Sequence, residues 1–103
     1  VPSTGPSRTP VGGDLERWLD LVCPALGLDR AVVAAVTGPV LDRVRDVAHD
    51  VVRPGAPLTA MLVGLAAGAA VGEGASPDRL EAAVRERLLV VDRLVAGWAP
   101  PAG

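Results

Sequence analysis

The sequence predicts an all-α fold, a compact bundle of four to five helices around a central apolar, small-residue helix at 58–71. Three observations carry this. Apolar residues recur at helical spacing through most of residues 14–98. Capping residues, prolines and glycines punctuate the chain at helix-length intervals. No stretch alternates apolar and polar as a half-buried strand does.

The first helix starts at Asp14, whose carboxylate can accept from the free amides of a first turn. Leu15, Trp18, Leu19, Val22 and Leu26 then follow one face. Pro24 should kink or end this helix, and Gly27 supplies a stop. Asp29 caps a short second helix, "RAVVAAV". Thr37, Gly38 and Pro39 break the chain, and Pro39 restarts it as a first helical residue, where a missing amide costs nothing.

The third helix, 39–53, has the clearest period. Val40, Leu41, Val44, Val47, Ala48, Val51 and Val52 form the stripe. Asp42, Arg43, Arg45, Asp46, His49, Asp50 and Arg53 occupy the remaining positions, which suits ion pairing along a solvated face. "RPGAP" ends the helix. A residue before proline is pushed from helical dihedrals, Gly55 can turn left-handed, and Pro57 can open the next helix.

The fourth helix, 58–71, is apolar on all sides, which places it at the buried centre. Gly64 and Gly68 would admit close neighbours. At about 14 residues the run is too short to span a bilayer, which needs about 20. In the last helix Ser76 caps, Pro77 begins, and Leu80, Ala83, Val84, Leu88, Val91, Leu94, Val95 and Trp98 share a face ending near Gly97. The segments 1–13 and 99–103 are rich in Pro, Gly and small residues and read as disordered linker and tail. The chain begins with Val, which fits either a piece of a longer protein or a GUG start codon written as Val.

Composition limits function. All ten basic residues are Arg, and Phe, Tyr, Ile, Asn, Gln and Lys are absent. That pattern reports a GC-rich bacterial genome rather than a task. A net charge of −2 with interleaved signs gives no basic face for nucleic acid. The single cysteine, Cys23, permits no internal disulfide and fits a reducing cytoplasm, where it serves as a small buried hydrophobe. Neither a signal peptide nor a membrane span is visible.

The residues with chemistry are few. His49 is the lone histidine. Beside Asp46 it lacks the converging ligands a metal requires, and it has no second base for acid–base work. A boundary histidine bonded to a carboxylate or carbonyl is the structural alternative. Arg87 falls inside the apolar stripe of the last helix, so it must snorkel out or pair with an Asp of a neighbouring helix. With Arg53 in the turn and Thr59 at the next helix start, it could hold a phosphate or carboxylate. Arg53 could instead cap the carbonyls of its own helix. No serine sits in a nucleophile elbow, and "GLAAG" has neither a strand before it nor a Lys after it. The residues define no catalytic set, metal site or cofactor site.

The order of these parts, "LERWLDLVCPALGLD" at 15–29 and "VLDRVRDVAHDVVRPGAPLTAMLVGLAAG" at 40–68, resembles a small bacterial helical domain of uncharacterised function. Its most specific piece is 47–68, through His49, Arg53, Pro54, Ala56, Pro57, Leu58, Thr59, Gly64 and Gly68. That domain occurs alone or fused behind a molybdenum-cofactor guanylyltransferase. The resemblance implies a link to molybdopterin–guanine dinucleotide synthesis and a partner among those enzymes, and it carries no catalytic residues. "VPSTGPSRTPVGG" would suit the linker of such a fusion. Three functions follow: an accessory or interaction domain, including one that pairs with itself; an anion or nucleotide-phosphate module on Arg53, Thr59 and Arg87; and an enzyme built on His49.

Overall fold

The computed structural model describes residues 13–98. Residues 1–12 and 99–103, most of the expected linker and tail, lie outside the described residues. Four helices follow in order: α1 (Gly13–Ala25), α2 (Arg30–Asp50), α3 (Gly55–Val71) and α4 (Pro77–Gly97). There is no strand among the described residues. The chain is an all-helical bundle, as its periodicity requires.

Helices α2, α3 and α4 all pack against one another, while α1 packs on α2. The core lies where the first three meet. Val36 of α2, Val63 and Ala67 of α3, and Ala83, Val84 and Leu88 of α4 are buried together. Val40, Val71, Leu80 and Val91 close around them. Cys23 is buried on α1, in keeping with its expected role as a small hydrophobe.

Several helix ends follow the expected chemistry. Asp29 accepts from the amides of Ala31 and Val32 and starts α2. Ser76 accepts from Arg79 and starts α4, with Pro77 in the first turn. Gly27, at φ 72°, stops α1 just past Pro24. Asp14 is not a cap: it lies within the first turn of α1 and pairs with Arg17. Pro54 precedes α3, and Pro57 sits inside its first turn, where amides are unpaired anyway. Gly55 is not left-handed. Its lack of a side chain admits the α2 end instead, since a Cβ there would meet Val52 Cγ1 at 3.1 Å.

Two expectations fail for instructive reasons. The break at Thr37–Gly38–Pro39 does not occur, and α2 runs unbroken through it. A proline within a helix removes one amide and orphans the carbonyl four residues earlier, here that of Ala35. Arg85 of α4 donates from Nη2 to that carbonyl at 3.0 Å. A tertiary contact thus replaces the missing local bond. Thr37 turns its hydroxyl to Val33 O at 2.6 Å and continues the helix.

The second failure concerns α3. It packs on α2 and α4, but it is not enclosed. Ala56, Val63 and Ala67 form its one buried stripe, whereas Leu58, Met61, Leu62 and Leu65 are each more than half exposed. Three other helices of similar width cannot surround a fourth. The close approach uses Ala67, which is fully buried, and not the glycines. Cβ atoms added at Gly64 and Gly68 would meet nothing within 4 Å.

Candidate functional site

A groove of about 870 Å³ lies between α3 and the second half of α4, at the end of α2. Its lining includes Val47 of α2 and Val51 just past that helix, Leu62, Val63 and Ala66 of α3, and Val90 and Leu94 of α4 with Trp98 just past its end. The polar residues along it are Thr59, Glu86, Arg87 and Arg93. The periods of both helices create it. Core contact on α4 is centred on Val84 and Leu88, so Val90 and Leu94 fall beside the buried stripe and remain exposed. On α3, Leu62 lies one residue before buried Val63 and is turned about 100° from it, toward the same side.

Of the four candidate residues, the groove brings together Thr59 and Arg87. Arg87 neither enters the core nor meets an Asp of a neighbouring helix. Half-buried, it donates from Nη1 to Glu86 Oε1 at 2.8 Å, so a carboxylate already engages its charge. Arg53 does not line the groove; it is exposed beyond the end of α2, and its backbone carbonyl accepts from Ala56. Its guanidinium makes no hydrogen bond among the described residues, neither to the α2 carbonyls nor to Thr59. Thr59 and Arg87 thus share the groove, and Arg53 lies outside it. His49 is exposed on the last turn of α2 and its imidazole makes no hydrogen bond among the described residues, unlike the bonded boundary histidine expected. No cluster of three metal-ligating side chains exists among the described residues.

The other charges serve the scaffold. Arg43 holds Asp46 one turn along α2 at 2.9 Å and Asp92 of α4 at 2.7 Å. The expected Asp/Arg ladder thus includes a bridge between helices. Arg30 joins α2 to α1 through Asp20 at 2.9 Å and Glu16 at 2.8 Å. The hydrogen bond that Arg30 donates to Asp20 holds its guanidinium above its ordinary pKa. Arg85 was the residue that sequence reasoning missed. Its signal was present, since a proline deep in a continuous apolar period demands an outside donor.

Chemically, the groove is an apolar trough with a polar rim. It holds no nucleophile paired to a base and no pair of carboxylates, and it suits apolar contact. It continues onto the uncharged outer surface of α3, where Leu58 and Leu65 are exposed. No helix among the described residues is long and apolar enough to cross a membrane.

Residues 11–103 match the family model described as a domain of unknown function, DUF6457, and the chain belongs to that family. No curated protein and no solved structure matches it.

Proposed function

We propose that this DUF6457 domain is a non-catalytic interaction module whose working surface is the apolar face formed by α3 and the second half of α4. The observation that carries this reading is the uncovered apolar surface. Leu58, Leu62 and Leu65 on α3, with Val90, Leu94 and Trp98 on α4, are each 45–68% exposed. Single exposed hydrophobes are ordinary, but contiguous patches beyond a few hundred Å² mark contact surfaces. At roughly 100 Å² per residue, these six expose on the order of 600 Å², at the upper end for a monomer.

The resemblance of the 47–68 segment to a domain fused to molybdenum-cofactor guanylyltransferases supports a role in molybdopterin–guanine dinucleotide synthesis. In that setting the module would assemble or position an enzyme rather than carry a reaction. The chemistry of the groove agrees, because it offers apolar contact and no reacting group.

The test is association measured by light scattering and calorimetry, for the chain alone and with a purified molybdenum-cofactor guanylyltransferase. Leu62→Glu places a charge in the middle of the face. The expected result is an association with Kd of about 10 µM or tighter that this variant abolishes while its helical circular dichroism is kept. Absence of any association at about 100 µM, or one indifferent to Leu62→Glu, overturns the reading.

A further inference from the structure

The size and the charges of this face bear on what could cover it. The 17-residue helix α3 carries no charged side chain, yet ten of its residues are exposed and only Ala56, Val63 and Ala67 are buried. Burying the six exposed residues named above, with the flanking Met61 and Ala66, would remove roughly 700–800 Å² from water, about one partner's share of a standard interface. The face comprises two adjacent helices, so a surface of the same shape can be laid across it.

The charges along α4 are self-complementary. Glu86 and Arg93 both border the groove and are about two turns apart on the same stripe. Glu86 pairs with its neighbour Arg87 but is still 71% exposed along its side chain, and Arg93 makes no ion pair among the described residues. Two α4 helices crossing antiparallel, with their two-fold axis between Leu89 and Val90, bring Glu86 of each copy level with Arg93 of the other. The same axis places Val90 against Leu89 of the second copy. A two-fold interface needs this kind of reciprocity, in which one patch serves as both partners.

We infer that the occupant of the α3–α4 face is a second copy of this chain, packed antiparallel through α4 and flanked by α3, with reciprocal Glu86–Arg93 pairs. This rests on the interaction reading above and specifies its partner. A domain dimerising in this way would bring together two copies of any enzyme joined to it.

Sedimentation velocity on the full chain, from about 1 to 100 µM, tests it. The expected species at the upper end has twice the 10.4 kDa chain mass. Glu86→Arg and Arg93→Glu should each weaken the dimer about tenfold or more, because each sets like charges face to face. The double variant Glu86→Arg/Arg93→Glu restores opposite signs and should recover most of the loss. Neither position is buried, so folding should survive, as circular dichroism would verify. A chain that stays monomeric at 100 µM overturns the second-copy proposal. If that monomer still binds the guanylyltransferase and loses it in Leu62→Glu, the interaction reading stands alone. If it binds nothing, both fall. A dimer insensitive to both single charge reversals, or a double variant no better than either single one, overturns the antiparallel α4 arrangement.

Discussion

The Arg85–Ala35 contact can be isolated with a double-mutant cycle. Pro39 deprives the Ala35 carbonyl of its amide donor, and Arg85 supplies the replacement. Arg85→Met keeps the apolar stem and removes the guanidinium. A hydrogen bond from a charged donor contributes about 1.5–3 kcal/mol. Arg85 is roughly half exposed, so water can partly take over the carbonyl, and about 1 kcal/mol is expected for its loss. Arg85 also pairs with Glu81 one turn back, a partly exposed contact of about 0.3–0.5 kcal/mol. Arg85→Met should therefore lower stability by about 1–1.5 kcal/mol, or roughly 4–8 °C in Tm per kcal/mol for a domain of this size. Pro39→Ala restores the amide and should stabilise α2 by about 1–3 kcal/mol. In that background Arg85→Met should cost only the Glu81 pair, a coupling of about 1 kcal/mol. Urea unfolding of the four proteins measures it. Additivity within about 0.3 kcal/mol would show that Arg85 does not substitute for the lost amide.

Ala67→Leu should destabilise by about 1–3 kcal/mol or more, because Ala67 has no exposed surface and its neighbours must move; Gly64→Ala should stabilise by about 0.5–1 kcal/mol, since its site is open and its φ is helical. Thermal melts that reversed this order would place the close contact at the glycines. Arg30→Ala should speed hydrogen exchange in α1 while sparing the α2–α4 core, since Asp20 and Glu16 hold the two helices through it. Because the pKa of Arg30 is raised, its contribution is fully present across neutral pH and is lost as pH rises through the folded-state value, so this difference should not vary across neutral pH. Uniform acceleration throughout the chain would refute that local role. Arg53→Ala and His49→Gln should each change stability by less than about 0.5 kcal/mol, and millimolar phosphate or GTP should leave every Tm unchanged. A ligand-dependent rise lost in Arg53→Ala would restore the anion site.

The sequence alone determined where α2 and α4 begin and where α1 ends. Asp29, Ser76 and Gly27 act on amides and carbonyls within a few residues, so their effects are local and readable. The apolar periods of 39–53 and 77–98 likewise named the core residues Val47, Ala83, Val84 and Leu88 before any packing was known. Periodicity placed Arg87 inside that stripe, whereas the structure leaves it half-buried and paired with its neighbour Glu86.

Tertiary structure decided the rest. Continuity of α2 through Pro39 depends on Arg85, fifty residues away from the carbonyl it serves, and no local rule contains that donor. The fate of α3 depended on how many neighbours existed to cover it. An all-round apolar period specifies a helix without a preferred face, and only the packing of α2 and α4 selected Ala56, Val63 and Ala67 for burial. The same choice left Leu58, Leu62 and Leu65 outside, beside Val90, Leu94 and Trp98. The apolar face arises because hydrophobicity is encoded residue by residue, whereas burial requires a partner surface, and four helices do not supply one for every side of α3.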